Sequence, residues 1–319
     1  RTAVFLLSSL NLEKYDVLKD DKVMIIDVIR FLDNVLTDFI ERAPEQFDDA
    51  KYSAEKERSV GLGVMGFHSY LQQHSIPLDS GMSKVWNKKI FSHIQEHVDQ
   101  ASKDLANERG PCPDAADYGY NERFSNKTAI APTASISIIC GGASPGVEPV
   151  AANSYTHKTL SGSFNVRKRY LVELLEKHGK NTDDVWSEIT TNQGSVSHLD
   201  FLTDLEKDVF KTAFELDQKW IIELSGDRTP YISQAQSINI FVPADIHKRE
   251  LHKIHFDAWK KGLKSLYYCR SKSIQRAENV NDTKATDVTA NVYKSKPQTT
   301  EQPEYELSLI HISEPTRRS

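Results

Sequence analysis

"QSINIFVPADIHKRELHKIHFDAWKKGLKSLYYC", residues 236–269, contains the pattern that decides the fold. Residues 236–242 and 263–269 are short apolar runs typical of strands, and residues 244–262 between them carry apolar side chains at helical spacing. A strand, a helix and a second strand with short connections form a βαβ unit, in which the two strands are parallel. The sequence therefore predicts an α/β fold built on a parallel sheet or barrel.

Three other segments predict long helices around this unit. Residues 22–42 and 83–110 carry apolar stripes at helical spacing, the second ending at Gly110-Pro111, and residues 202–226 read as one helix closed by Gly226. Residues 126–150 differ, because they are rich in glycine, serine, threonine and proline around a short β-like run. A stretch of this composition inside a globular chain is typical of a binding loop.

Composition excludes several classes of function. The 319 residues carry a net charge of −5, and the longest basic run is Arg167–Arg169, so we expect no nucleic-acid partner. No apolar stretch approaches the ~20 residues of a membrane span, so we expect no membrane association. Three dispersed cysteines, Cys112, Cys140 and Cys269, predict a reducing compartment, the cytoplasm. The chain starts at Arg1 without a signal peptide and reads as the interior of a longer protein.

"SVGLGVMGFHSYL", residues 59–71, contains Gly61, Gly63 and Gly66 in the G-x-G-x-x-G spacing of dinucleotide-binding proteins. That fingerprint requires a buried strand before it and an acidic residue at the end of a second strand. Here a charged stretch precedes the glycines, and the acidic residue at the expected distance, Asp79, lies in a turn-like segment. We therefore predict a tight turn that enters a helix, with no role in dinucleotide binding.

Two further motifs could hold ligands. "IAPTASISIICGGASPG", residues 130–146, offers the hydroxyls of Thr133, Ser135 and Ser137 and a short helix start that could bind an anion. The alternative is a buried loop that satisfies its own backbone, and the residues alone leave both open. "HIQEH", residues 93–97, matches the H-x-x-E-H pattern of some zinc proteases, but no third ligand can be identified, so we expect no metal there.

Tyr267 and Tyr268 stand next to each other at the end of the last strand-like run. Packing is the ordinary role of tyrosine in a strand. The alternative is redox chemistry, in which a phenol loses an electron and a proton together. Because adjacent side chains of a regular strand face opposite sides, a functional pair requires the strand to end or twist at this point.

Seven stretches together resemble the large (alpha) subunit of class I ribonucleotide reductase. They occur in order over residues 1 to about 275: "RTAV..LSSLNL", "RSVGLGVMGFHSYL", "RGPCPDAADYG", "IAPTASIS", "GVEPVAANSYTHKTLSGSF", "DRTPYISQAQSINIF" and "HFDAWKKGLKSLYYCRS". The resemblance implies a ten-stranded α/β barrel made of two five-stranded parallel halves. Residues 1–275 would form its carboxyl-terminal part, surrounded by long helices.

The resemblance also implies roles for single residues. Thr133, Ala134, Ser135 and Ile136 would bind the substrate diphosphate, and Tyr267 and Tyr268 would transfer the radical. The family's thiyl-radical cysteine and allosteric nucleotide sites would lie upstream of Arg1. One of its two reducing cysteines falls at the position of Phe5, which cannot form a disulfide. Either this lineage uses a different reductant, or a terminal read error altered the codon.

The implied activity is radical reduction of ribonucleoside diphosphates to deoxyribonucleotides for DNA synthesis, under allosteric control by ATP and other nucleotides. This fragment would bind no cofactor and be inactive alone. Its partners would be a small (beta) subunit with a dimetal and tyrosyl-radical cofactor, thioredoxin or glutaredoxin as reductant, and a second alpha subunit in a homodimer. The alternatives are an adenosylcobalamin-dependent reductase, which the tyrosine pair argues against, and a non-catalytic nucleotide-binding relative, which Phe5 favours.

The carboxyl-terminal residues differ in character from the rest. Residues 276–306 are polar and without periodicity, which predicts a disordered tail. "LSLIHISEPTR", residues 307–317, resembles the conceptual translation of a sequencing-library adapter, so we expect residues 307–319 to be non-biological.

Overall fold

Helices and strands alternate along the chain, as the βαβ pattern predicts. The computed structural model describes residues 2–159 and 162–271, which fall within one compact unit, Arg1–Val280. The strands are β1 (Leu6–Asn11), β2 (Val60–Met65), β3 (Ser154–Thr159), β4 (Gly162–Arg167), β5 (Ile240–Val242) and β6 (Cys269–Ser271). The helices are α1 (Tyr15–Leu18), α2 (Met24–Arg42), α3 (Asp48–Glu57), α4 (Phe67–Gln73), α5 (Gly81–Arg109), α6 (Pro113–Asp117), α7 (Ala134–Ile139), α8 (Arg169–Lys177), α9 (Asp183–Thr191), α10 (Asp204–Val209), α11 (Gln218–Arg228) and α12 (Lys248–Lys260). The predicted tail, residues 276–306, and the predicted adapter, residues 307–319, lie outside the described residues.

Five parallel segments lie side by side and confirm the α/β prediction. β1 pairs with β2, and β5 pairs with β6, both in parallel. Parallel bridges from Leu62 to Thr128 and from Ile130 to Gln236 connect these two pairs through the segment 128–130. The resulting order is β1, β2, 128–130, the segment that leads into β5, and β6. Its number of segments equals one half of the ten-stranded barrel that the resemblance implies.

The strand predicted over residues 263–269 is wrong except for its last residue, because β6 begins at Cys269. Tyr267 still donates its N–H to the carbonyl of Ile238 at 2.8 Å. Tyr268 instead donates its N–H to the side-chain oxygen of Asn239 at 3.1 Å. Regular main-chain pairing is therefore interrupted at Tyr268 and starts again one residue later.

The predicted long helices pack around the parallel segments. α2 and α5 match the predictions for residues 22–42 and 83–110 within two residues at each end, and Gly110 caps α5 as expected. The inner faces of both helices join a large buried cluster with β1, β2 and α4. A separate buried cluster joins α8, α9 and α10, and it lies beside the antiparallel hairpin of β3 and β4, which the sequence did not predict.

The single helix predicted over residues 202–226 is wrong, because two helices, α10 and α11, occupy this range. Each has its own amino-terminal cap: Thr203 forms a capping box with Glu206, and Asp217 accepts the N–H of Lys219. Gly226 does not close a helix but lies within α11, where a Cβ atom would be 3.0 Å from the Cβ of Lys261.

The glycine-rich stretch is a strand followed by a turn, so the prediction of a helix-entry turn holds only for its last glycine. Gly61 and Gly63 lie in the fully buried strand β2, and Gly66 enters α4 with a φ of +79°. A side chain at Gly63 would overlap the carbonyl oxygen of Ala129. The first two glycines therefore allow β2 and the segment 128–130 to lie close together.

No helix in the described part of the chain combines the length and the apolar character needed to cross a bilayer.

Candidate functional site

A cavity of about 520 Å³ brings together the two motifs that the sequence singled out. Four segments and Phe214 line it; the segments are 131–134, 145–151, 237–241 and 267–271. Ala134, from the predicted diphosphate loop, and both Tyr267 and Tyr268 contribute to this lining. Residues more than 130 positions apart in sequence thus share one cavity, because residues 131–134 follow the segment 128–130 and the tyrosines lead into β6, and both belong to the same parallel array.

The predicted anion loop starts the short helix α7. Thr133 is the residue before the helix, and its buried Oγ1 accepts the N–H of Gly146 at 2.7 Å. Its own hydroxyl hydrogen has no acceptor among the described residues and can donate to a ligand. The N–H groups of Ala134, Ser135 and Ile136 are in the first turn of α7, where a helix has no internal acceptor for them.

The sequence left open whether this loop binds an anion or satisfies its own backbone, and its hydroxyl groups differ in this respect. Ser137 is buried and donates to the carbonyl oxygen of Ala134 at 3.1 Å, so it satisfies the loop's own backbone. Ser135 and Ile136 are exposed, and Ile136 retains 52% of its accessible surface. The arrangement is thus a self-supported turn in which Thr133 is buried and residues 134–136 are exposed.

The two tyrosines lie against each other at the mouth of the cavity. Their ring centroids are 4.0 Å apart, and the hydroxyl of Tyr267 donates to the hydroxyl of Tyr268 at 3.3 Å. This hydrogen bond raises the pKa of Tyr267. Tyr267 and Tyr268 are 46% and 51% exposed, and the guanidinium of Arg270 lies 4.7 Å from the ring centre of Tyr268. The backbone is therefore irregular between the two tyrosines, which is the condition that a functional pair requires.

A buried carboxylate stands behind the pair. Glu148 accepts the backbone N–H of Asn239 at 2.9 Å and its side-chain N–H at 3.0 Å. Asn239 in turn accepts the N–H of Tyr268. Burial raises the pKa of Glu148, although these two hydrogen bonds oppose the rise.

Sequence reasoning missed Glu148, Asn239 and Arg270. Two of them could have been noticed in the sequence. Glu148 is an acidic residue in a segment of small and apolar residues, and Asn239 interrupts the apolar run 238–242. A polar residue in an otherwise apolar strand needs a partner when it is buried. The sequence alone could not identify that partner, because the two residues are 91 positions apart.

The remaining candidate residues lie elsewhere. Phe5 directly precedes β1 and is 42% exposed. Cys112 is buried, Cys140 is half-buried and Cys269 is exposed, all as free thiols. In the H-x-x-E-H motif the two rings are 4.4 Å apart, and Nδ1 of His97 lies 3.0 Å from the carbonyl oxygen of His93. The described residues contain no group of three or more side chains suited to a metal ion.

Comparison with known proteins identifies the family that this chain matches. A family model described as "Ribonucleotide reductase, barrel domain" matches residues 1–122 and 114–269. The chain is 50% identical over 285 residues to the ribonucleoside-diphosphate reductase large subunit of Invertebrate iridescent virus 6, covering 88% of this chain and 30% of that protein. It is 43% identical to the large subunit of Invertebrate iridescent virus 3, covering 90% of this chain and 46% of that protein.

A solved structure is similar along most of the chain. The Actinobacillus ureae class Id ribonucleotide reductase alpha subunit superposes with a TM-score of 0.79 at 38% sequence identity, covering 88% of this chain and 51% of that one. The chain thus spans between about a third and a half of the length of the proteins it matches.

Proposed function

The chain belongs to the ribonucleotide reductase family, whose barrel domain it matches over most of its length, and we propose that it acts as part of the large subunit of a ribonucleoside-diphosphate reductase. The observation that carries the proposal is the shared cavity of the anion loop and the tyrosine pair. An enzyme that reduces a nucleotide by a radical route needs both a phosphate site and a path for the radical in one place.

The diphosphate site is residues 133–136. The Thr133 hydroxyl and the N–H groups of Ala134, Ser135 and Ile136 donate to the phosphate oxygens. Backbone N–H groups in a first helical turn suit an anion, since they need an acceptor and carry partial positive charge. The Thr133–Gly146 hydrogen bond supports this site by holding the hydroxyl in one orientation.

The radical path runs through Tyr267 and Tyr268. When Tyr268 has lost a hydrogen atom, Tyr267 replaces it along their hydrogen bond: the Tyr267 O–H bond breaks, the Tyr268 O–H bond forms, and the radical moves to Tyr267. One electron and one proton move together, so neither phenol has to become charged at the mouth of the cavity. The oxidising equivalent comes from the small subunit, whose dimetal and tyrosyl-radical cofactor generates it.

Other partners belong to the same proposal. Thioredoxin or glutaredoxin supplies electrons, two large subunits form a homodimer, and the enzyme acts in the cytoplasm. Phe5 stands where the family has a reducing cysteine; if Phe5 is genuine, a reductant other than thioredoxin or glutaredoxin supplies the electrons, and if it is a read error of a cysteine codon, the usual one does. Loss of reduction altogether is the competing possibility, and Phe5 is the feature in its favour.

The test is CDP reduction by the complete large subunit with its small subunit, comparing the parent with Tyr268→Phe, Tyr118→Phe and Phe5→Cys. Tyr118 is 82% exposed and away from the cavity, so its variant controls for the loss of a phenol. We expect Tyr268→Phe to abolish turnover and Tyr118→Phe to retain it. Full activity in Tyr268→Phe would refute the relay, and activity that requires no small subunit would identify a cobalamin-dependent enzyme.

Phe5→Cys separates the two explanations of the missing cysteine. If a different reductant is used, the parent is active and the variant changes only its dependence on thioredoxin or glutaredoxin. If neither protein reduces CDP although both bind it, the chain comes from a non-catalytic nucleotide-binding relative.

A further inference from the structure

The tyrosine pair depends on an irregular backbone. In a regular strand Tyr267 and Tyr268 would point to opposite faces, yet their rings lie 4.0 Å apart. The irregularity lies in the N–H of Tyr268, which donates to the side chain of Asn239 where a strand residue would pair with main chain. The carbonyl of Tyr268 still accepts the N–H of Ile240 at 3.0 Å. Asn239 therefore determines how the chain turns between the two tyrosines.

Glu148 fixes which way the Asn239 amide points. Its two carboxylate oxygens accept the backbone N–H of Asn239 and one N–H of its side-chain amide. Because the amide nitrogen is held by the carboxylate, the amide oxygen is left to face the N–H of Tyr268. The amide cannot flip without placing its oxygen against a carboxylate.

This carboxylate is buried at a cost. Glu148 is only 7% exposed, and among the described residues its one electrostatic cation neighbour, Arg270, forms no direct ion pair with it. A buried carboxylate without a paired cation is unfavourable unless hydrogen bonds compensate, and Asn239 supplies both of those bonds. The loop that carries Glu148 is itself tied at Gly146 to Thr133. The carboxylate is therefore held in place from both sides.

Building on the proposed function, we infer that Glu148 and Asn239 are positioning residues of the radical relay, which hold the backbone at Tyr268 so that the two phenols stay in hydrogen-bond contact. Neither side chain exchanges an electron or a proton with the tyrosines. They act on the distance over which the hydrogen atom moves between the two oxygens, 3.3 Å in this arrangement. A displacement of about 1 Å at such a step is expected to slow it by on the order of 100-fold.

Asn239→Asp, Glu148→Gln and the double variant test the inference in the complete enzyme. In Asn239→Asp two carboxylates face each other, and in Glu148→Gln an amide nitrogen faces an N–H donor, so each single change breaks the arrangement. In the double variant the introduced glutamine amide donates to the introduced aspartate carboxylate, which still accepts the N–H of Tyr268. Every donor and acceptor is satisfied again, with the roles of the two side chains exchanged.

We expect kcat for CDP reduction to fall on the order of 10- to 100-fold in each single variant and to recover to within a few-fold of the parent in the double variant. KM for CDP should stay within about twofold throughout, because the diphosphate loop is unchanged. Gln218→Ala is the matched control: Gln218 is also a buried amide that accepts a β5 N–H, that of Phe241, at 2.7 Å, but it does not touch the tyrosines. It should lower the thermal midpoint and leave kcat within a few-fold of the parent.

A radical trap separates positioning from general damage. With 3-aminotyrosine, which is oxidised more easily, at position 268, the radical yield measured by electron paramagnetic resonance should be the same in the parent and in Asn239→Asp. With the trap at position 267, the yield should fall in Asn239→Asp and return in the double variant. Unchanged yield at 267, or failure of the double variant to recover, overturns the inference. Absence of a trapped radical at both positions in the parent background would overturn the proposed relay instead.

Discussion

Arg58 donates two hydrogen bonds to one carboxylate oxygen of Asp33, from Nε at 3.1 Å and from Nη2 at 2.7 Å. Arg109 and Arg123 bind the same carboxylate, which is completely buried between α2, α5 and the loop after α6. Three cations around one carboxylate join segments that are up to 90 positions apart in sequence. They lower the pKa of Asp33 although burial acts to raise it.

Asp33→Asn should therefore destabilise the fold by about 3–5 kcal/mol, because it leaves buried guanidinium groups without their counter-ion. Asp38→Asn is the control, since its pair with Arg42 on the same helix is exposed and should contribute about 0.5 kcal/mol or less. Denaturant unfolding of both variants measures the difference. Equal midpoints for the two variants would contradict the structural role of the Asp33 cluster.

Gly63→Ala and Gly81→Ala should have opposite effects on stability. A Cβ at Gly63 would overlap the carbonyl oxygen of Ala129, so β2 would have to move away from its neighbour, at a cost of about 1–3 kcal/mol. Gly81 begins α5 and has nothing within 4 Å of the added atom, so alanine should be neutral or stabilising by up to about 1 kcal/mol. Thermal unfolding compares them, and a neutral Gly63→Ala would show that β2 can shift without penalty.

Because His68 is buried, we expect the free energy of unfolding to fall as the pH is lowered from 6.5 to 4. Its Nδ1 accepts the N–H of Val150 at 3.0 Å, and burial lowers the pKa of the ring to about 4. Below pH 6.5 the unfolded chain binds a proton that the folded chain does not, so stability falls as the pH falls and stops falling near pH 4. The shift corresponds to about 3 kcal/mol.

His68→Asn tests this dependence, because asparagine can still accept the N–H of Val150 but does not titrate. The variant's free energy of unfolding should change less with pH than the parent's over this range. His255→Asn, at an exposed position of α12, is the comparison. A parent-like slope in His68→Asn would assign the acid sensitivity to other groups.

The three cysteines should react with iodoacetamide in order of exposure. Cys269 is exposed, Cys140 is half-buried and Cys112 is buried, and burial raises the pKa of Cys112, which further lowers its thiolate fraction. Peptide mass spectrometry should find Cys269 labelled first and Cys112 labelled only after unfolding. Early labelling of Cys112 would mean that the segment between α5 and α6 opens readily.

Local patterns predicted the elements of this fold well where one period dominated. The helices α2, α5 and α12 follow directly from apolar spacing, and the order strand, helix, strand of residues 236–271 was predicted although β5 and β6 are shorter than expected. The pattern failed where a single polar residue decided the outcome. Asp217 starts a new helix inside an apolar segment, and Asn239 interrupts main-chain pairing at Tyr268 through its side chain.

The site was predictable only as separate pieces. The loop 133–136 and the tyrosine pair each have a chemical signature in sequence, but their common cavity depends on the order of the parallel segments. Glu148 acquires its significance only from contact with Asn239, which no local pattern contains. Gly61 and Gly63 are the opposite case. Their spacing is typical of a nucleotide-binding loop, but the structure requires glycine at Gly63 because the backbone of Ala129 lies against it.

The order of the parallel segments also has a consequence for handling this polypeptide in the laboratory. From the residues that the structure describes, β1 pairs only with β2 and β6 only with β5, so the outermost segments each present a row of backbone donors and acceptors. Phe5, just before β1, and Leu7, within it, add exposed apolar surface, 42% and 47% accessible. Such edges recruit strands from other molecules. Produced by itself, the chain should tend to self-associate through those edges.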